Sequence, residues 1–329
     1  MFHGKVQGQA LAELRTNDQV WAKGQRELAL LLTRWRANPD VRPVFNDFER
    51  FGRGKPLEAC PSLAALFEGT GGAARDFVGG MVDVALDGLR AHPLGHLPLR
   101  HGVNQTGQTL LLSHWGAATL ALVSYESERL SERAEARTAA FTPVESWSCV
   151  LVGSGEADRI RCEEKQGGAA RLEIEPVTMQ PGSVIYRDGR NERIQMRSTR
   201  GVLVKLRLQR FLGGTEPVRE FALADGTLVH QAASNAHDSR CELAISVLSR
   251  MKRRDAVPVI SRIVTGEGHE GLRWQAMREL LALDTRAGMI LLGQIAASED
   301  DPLAALAQEA QLSLLQTWPE LERISQWRS

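Results

Sequence analysis

The sequence contains few cysteines and no close pair of them. Its 329 residues include four cysteines, which are widely spaced at Cys60, Cys149, Cys162 and Cys241. The absence of a Cys-x-x-Cys pair argues against a structural zinc knuckle built on cysteine alone. Four scattered cysteines are more typical of a reducing compartment than of a disulfide-stabilised scaffold.

The sequence also lacks an excess of charge and a long apolar run. Lysine plus arginine and aspartate plus glutamate number 40 each, so the formal net charge is zero. This balance argues against nucleic acid or an acidic membrane surface as the main partner, because both select basic proteins. No apolar run approaches the roughly 20 residues of a membrane-spanning helix, and residues 1–5 contain no apolar signal core. We therefore expect a cytoplasmic protein that binds neither membranes nor nucleic acid.

Common catalytic motifs are missing as well. The sequence contains no Gly-x-Ser-x-Gly elbow and no Walker-type phosphate loop. Gly153-Ser154-Gly155 lacks the third glycine of a dinucleotide-binding fingerprint and does not open a helix. The fold class is therefore easier to predict than the function.

Three regions are distinguished by their hydrophobic periods. Residues 1–91 read as a helical N-terminal region, most clearly over 18–37, where apolar residues recur near the helical period. Residues 92–220 begin with a Pro- and Gly-rich linker and then read as short strands, with a hairpin turn at Asp188-Gly189. Evenly spaced short strands predict a sandwich or jelly roll. The fold class predicted is α+β and multidomain.

Residues 221–329 return to helix and form the third predicted domain. Their short helices occur in pairs at a period of about 33 to 35 residues, which is typical of stacked helical repeats. Arg273 and Trp274 lie on one of these helices. They are interpreted either as an exposed interface anchor or, for Trp274, as a core residue.

Two stretches carry a resemblance to known families. The segment 179–186 followed by Gly189, together with the segment 151–157, resembles the cupin jelly roll; the segment 272–281 resembles HEAT-like repeats. The cupin resemblance implies a site for iron, zinc or manganese held by histidines and a glutamate, and oxygenase, dioxygenase or isomerase chemistry. The sequence departs from that pattern, because Ser113-His114-Trp115 supplies a single histidine and Asn191-Glu192 stands where another would fall. We therefore expect no cofactor.

An atypical metal set is kept as an alternative. It comprises His96, His101 and His114, with Glu126 as the carboxylate. The competing interpretation is a linker whose histidines are solvated, since their spacing matches no known ligand motif. If the alternative holds, the metal is iron, zinc or manganese.

A second candidate set is basic. Tyr186, Arg187 and Arg193 flank the hairpin, while Lys205 and Arg207 alternate with the apolar side chains of a later strand. Arginines that line a barrel bind a carboxylate or phosphate through paired hydrogen bonds. On the outside of a barrel, the same residues are ordinary solvated charges.

The leading prediction is a non-catalytic binding, scaffolding or sensor protein. Its degenerate cupin barrel would bind a small anionic ligand, and its helical repeats would contact a protein partner. Exposed sheet edges also favour a homodimer. The alternative prediction is a metal-dependent, cupin-type oxygenase or isomerase with an atypical ligand set.

Overall fold

The computed structural model describes residues 8, 11–12, 18–69, 72–164, 169–213, 216–232, 236–266 and 268–322. The chain divides into two compact units. The first combines residues 1–137, 144–163 and 171–212, and the second combines 138–143, 164–170 and 213–329. Both helices and antiparallel sheets are present, which confirms the mixed α+β composition. The division into three domains stays a prediction.

The first unit begins with helices. They are α1 (Gln19–Ala37), α2 (Arg42–Gly52), α3 (Pro61–Ala64) and α4 (Gly72–Ala91). The residues that α1 buries include Leu28, Leu32 and Trp35, which recur at the helical period. The helix ends at Ala37 because Pro39 follows and restricts the backbone of the residue before it.

The strands are β1 (Arg100–Val103), β2 (Gly107–Trp115), β3 (Ala118–Glu126), β4 (Thr138–Phe141), β5 (Val144–Glu164), β6 (Ala170–Met179), β7 (Val184–Asp188), β8 (Glu192–Phe211), β9 (Val218–Ala222) and β10 (Leu228–Ala232), with the short helix α5 (Ser127–Ser131) after β3. The first unit contains a seven-stranded sheet in the order β1-β2-β3-β8-β5-β6, and β7 pairs with β5. The second unit contains the three-stranded sheet β10-β9-β4.

Both faces of the large sheet are covered. One face packs against helices α1 to α4, and its buried side chains include Leu120, Cys149, Leu206 and Leu208. We call this the helix-facing side. The opposite side, called the inner face, carries a separate apolar cluster that contains Leu130, Val150, Ala157, Met179, Ile185, Met196 and Leu203. Successive residues of a strand point to opposite faces, so each central strand contributes to both cores.

The second unit continues with α6 (Ala236–Arg250), α7 (Val257–Thr265), α8 (Glu270–Leu283), α9 (Thr285–Ala296) and α10 (Ala304–Thr317). Arg273 is buried, and Trp274 is half-buried. The Arg273 guanidinium donates to the Val264 carbonyl at 2.9 Å and to Asp301 at 2.5 Å. Arg273 is therefore not an exposed interface anchor, because its donors are used inside the unit. No helix among the described residues is long and apolar enough to cross a membrane.

Candidate functional site

A cavity of about 270 Å³ lies at the inner face of the large sheet. Its apolar lining is formed by Met179, Ile185 and Ile194. The remaining lining residues are polar or charged: Asn104, Thr106, Tyr125, Ser146, Ser148, Arg187, Arg193, Lys205 and Arg207. A polar cavity of this size suits a small polar ligand.

Strand register explains how these side chains meet. Ser148 of β5 lies opposite Arg207 of β8 on one side and opposite Ile185 of β7 on the other. Ser146 lies opposite Arg187 of β7. Directly paired residues share one face of a sheet, so Ser146 and Ser148 of β5 lie between basic side chains from both neighbouring strands.

Lys205 and Tyr125 are in contact with each other in the cavity lining. Lys205 is only 8% exposed, and its Nζ lies 5.2 Å from the centroid of the Tyr125 ring. Burial lowers the pKa of Lys205, and the charges of Arg207 and Arg187 lower it further against the opposing effect of Tyr125. Burial alone would raise the pKa of Tyr125, but the charges of Lys205, Arg207 and Arg193 hold it below its usual value.

The arginines of the cavity are also partly desolvated. Burial, followed by the charges of Arg193 and Arg207, lowers the pKa of Arg187 to about 10. Arg187 donates from Nη1 to the carbonyl of Glu192 at 3.2 Å. Burial likewise lowers the pKa of Arg207, and its Nε is buried without a hydrogen-bond partner among the described residues. The guanidinium of Arg207 therefore keeps a donor that the described part of the protein does not use.

The charged residues of the cavity lining are all basic. The lining includes four basic side chains and, among its described residues, no Asp or Glu. Clustered cations that have lost water are destabilised unless an opposite charge compensates them. The arrangement therefore favours an anion in the cavity.

Tyr186 does not join this group. It is 48% exposed, and its ring centroid lies 5.0 Å from that of Trp147, which packs on the helix-facing side. Ile185 and Arg187 line the cavity, so alternation along β7 turns the intervening side chain to the other face. Four of the five residues of the predicted basic set thus converge, and Tyr186 lies elsewhere.

The predicted metal ligands are distributed over separate places. His96 contacts Gln25 of α1 through backbone and side-chain hydrogen bonds. His101 lies opposite Leu110 in the β1–β2 ladder, whereas His114 is exposed four residues further along β2, which corresponds to about 13 Å. Glu126 accepts from Gln108 at 2.7 Å and from Arg129 at 3.1 Å.

These four residues therefore do not converge as a metal centre. Among the described residues, no group of three or more His, Cys, Asp or Glu side chains is placed to hold a metal ion. The cavity itself does not fit iron, zinc or manganese. Its described lining contains no His, Cys, Asp or Glu, and its cations would repel a divalent metal ion.

Several residues of the cavity were not among the sequence candidates. Tyr125 and the two serines Ser146 and Ser148 are the main ones, together with Asn104 and Thr106 of the β1–β2 connection. Alternation along β3 and β5 predicts which side chains share a face. It does not predict that β8 lies between those two strands, which is what brings them to Lys205 and Arg207.

No protein-family model matches the sequence, and no curated protein matches it. Among solved structures, the DMSP lyase DddQ from Ruegeria pomeroyi DSS-3 is 12% identical over 44% of this chain and 68% of its own, with a TM-score of 0.26. CapF bound to an inhibitor, 3-isopropenyl-tropolone, is 11% identical over 36% of this chain and 32% of its own, with a TM-score of 0.25.

A putative mannose-6-phosphate isomerase from Ralstonia eutropha JMP134 is 15% identical over 31% of this chain and 82% of its own, with a TM-score of 0.20. The match to CapF spans about a third of that protein. Similarities at this level carry no argument about activity. The HEAT-like repeats, the protein partner of the helical region and the homodimer stay predictions.

Proposed function

We propose that the cupin-like sheet of this protein binds a small anion, a carboxylate or a phosphate, in the cavity lined by Lys205 and the arginines. The observation that carries the proposal is the clustering of four basic side chains in a cavity whose described lining contains no carboxylate. An anion would supply the missing charge and accept from the guanidinium of Arg207, which lines the cavity.

The side chains match the chemistry of oxyanions. Arginine presents several N–H donors in a planar fork that fits carboxylate and phosphate oxygens. Arg187 and Arg207 lie on strands to either side of β5, whose hydroxyl-bearing Ser146 and Ser148 lie between them. A bound oxyanion would therefore be held by charged donors with neutral hydroxyl donors beside them.

The low exposure of the site strengthens such contacts. Lys205 is almost fully buried and the cavity volume is about 270 Å³. Charge-assisted hydrogen bonds are stronger where water is excluded, since the local dielectric constant is lower. The same confinement argues against an extended polyanion such as nucleic acid, which needs an open basic surface.

The test is a thermal-shift screen followed by calorimetry at constant ionic strength. Inorganic phosphate, pyruvate, lactate and succinate serve as probes, and lactamide serves as the uncharged analogue of lactate. At 100 times its dissociation constant, a bound anion adds about 2.7 kcal/mol to the free energy of unfolding. We expect at least one anion to raise the melting temperature and lactamide to have no effect.

A pair of variants on one strand makes the test specific. Arg207→Gln removes a charged donor from the cavity, and we expect it to weaken anion binding about tenfold or more. Arg200→Gln is the matched control, because Arg200 is an exposed residue of the same strand β8. Absence of a shift with every anion, or equal weakening by both variants, would contradict the proposal.

A further inference from the structure

Lys205 differs chemically from the other basic residues of the cavity. It is the one described lining residue that carries a primary amine. Its strand register places it between Val123 of β3 and Val150 of β5, both of which are buried and apolar. The amine therefore ends a side chain that is held between apolar neighbours and directed to the Tyr125 ring.

The surroundings of Lys205 favour its neutral form. The charged groups that act on it include Arg207 of its own strand β8 and Arg187 of β7, and Tyr125 of β3 is the titratable neighbour. Burial and like charges lower the pKa of its amine. A lysine next to cations in a desolvated site is an activated nucleophile, because a larger fraction of it is unprotonated.

We propose that Lys205 forms an imine with a small oxo-carboxylate, an acid that carries a ketone or aldehyde beside its carboxylate. This proposal rests on the anion-binding function proposed above. Arg187 and Arg207 would hold the carboxylate, which leaves the carbonyl carbon of the same molecule for the amine. The cavity contains both required groups, cations for the carboxylate and a nucleophile for the carbonyl.

The reaction balances without any further reagent. The Nζ lone pair attacks the carbonyl carbon, so that a C–N bond forms and the C=O electron pair moves to oxygen. Proton transfer from nitrogen to oxygen gives a carbinolamine. Its C–O bond then breaks, the nitrogen lone pair forms the C=N bond, and the oxygen leaves as water with both amine hydrogens. The Tyr125 hydroxyl, which interacts with the Lys205 amine through a side-chain hydrogen bond, is the neighbouring group that can relay these protons.

The experiment uses the full chain and pyruvate as the probe. The protein is incubated with pyruvate and sodium cyanoborohydride, which reduces an imine to a stable secondary amine, and the modified residue is located by peptide mass spectrometry. We expect a single adduct on Lys205. Lactate is the matched control, since it carries the same carboxylate without a carbonyl, and it should give no adduct.

Two internal comparisons keep the result decisive. Lys23 is an exposed lysine outside the cavity lining, with 71% of its side-chain surface accessible. We expect several-fold less adduct there, because no bound carboxylate holds the carbonyl next to its amine. Lys205→Arg keeps a positive charge at this position but removes the primary amine, so it should form no adduct. Equal labelling of Lys23 and Lys205, or a persistent adduct in Lys205→Arg at another residue, would overturn the proposal.

The failure of this proposal is distinguishable from failure of the anion-binding function. Stabilisation by pyruvate and lactate without a trapped adduct would contradict the imine and leave anion binding supported. An adduct on Lys205 without stabilisation by any anion would support the imine and contradict the anion site. Absence of both effects would contradict both proposals.

Discussion

The guanidinium of Arg210 lies 4.0 Å from the ring centroid of Phe51, and its Nη1 donates to the Phe51 carbonyl at 3.0 Å. The same group donates to the Lys55 carbonyl at 2.6 Å and forms an ion pair with Glu145. Arg210 belongs to β8, Glu145 to β5, and Phe51 to α2. One side chain thus joins two strands of the sheet to the helices that cover it.

Replacing Arg210 tests this connection. Both members of the ion pair are largely buried, with side-chain exposures of 15% and 14%. We expect Arg210→Met to lower the free energy of unfolding by about 3 to 5 kcal/mol, because it leaves the Glu145 carboxylate buried without its partner. Chemical denaturation measures the change. Arg200→Met, on the exposed part of the same strand, should change it by less than about 0.5 kcal/mol, and equal effects would contradict the expectation.

The buried amine of Lys205 makes the stability of the protein depend on pH. Its folded-state pKa is below the ordinary value of 10.5, so between these two values the unfolded state binds more protons and stability rises with pH. Below the folded-state pKa, the full cost of charging the buried amine applies. Lys205→Met removes this cost, about 1.4 kcal/mol for each unit of lowered pKa. We expect the variant to be more stable than the wild type at neutral pH and to lose that advantage as the pH approaches 10.5.

Denaturant unfolding over a series of pH values measures this difference. The matched control is Lys55→Met, because the Lys55 side chain is exposed. Its effect on stability should not depend on pH in the same range. A constant difference between Lys205→Met and the wild type across the series would show that the amine is not the source of the effect.

Gly153 and Gly201 allow the same substitution to be compared at two positions. Both have positive φ, +80° and +71°. A Cβ at Gly153 would lie 2.1 Å from the Val202 carbonyl oxygen, whereas a Cβ at Gly201 would have no surrounding atom within 4 Å. Substitution by alanine costs about 1 to 2 kcal/mol at either position because of the left-handed backbone. We expect Gly153→Ala to cost about 1 to 3 kcal/mol more, since backbone must move. Comparable denaturation midpoints for the two variants would contradict this.

The alternation of apolar and basic residues predicts the two faces of β8 but not what packs against each face. The sequence pattern separates Val204, Leu206 and Leu208 from Lys205 and Arg207, and the structure places the two groups on opposite faces. It does not decide which face is interior, because an amphipathic strand on the surface shows the same alternation. Here the apolar face is covered by helices from a distant part of the sequence, and that packing is not local.

The long strands show a different limit. The sequence predicts short strands, whereas β5 and β8 are 21 and 20 residues long and continue through Gly153 and Gly201. Register shifts occur between Val152 and Ser154, next to Gly153. A glycine with positive φ bends a strand and need not end it, so glycine alone does not distinguish a bulge from a turn.

For the candidate site residues too, local periodicity predicts some placements and not others. The two-residue period of β7 separates Tyr186 from Arg187, so the local pattern is enough to predict their different faces. No such period applies to His96, His101 and His114, because closeness in sequence does not imply closeness in space. The α1 boundaries, in contrast, were predicted to within one residue, because a helix is specified by local periodicity and a proline.

One face of β8 packs against the helices and the other lines the cavity, and this constrains how many residues the strand can gain or lose. Inserting one residue between Val204 and Lys205 would turn the following segment over, so that Lys205 and Arg207 would face the helices and Leu206 and Leu208 would face the cavity. An insertion of two residues would restore the original orientation of those side chains. Natural relatives of this protein are therefore expected to gain or lose residues in this segment only in even numbers.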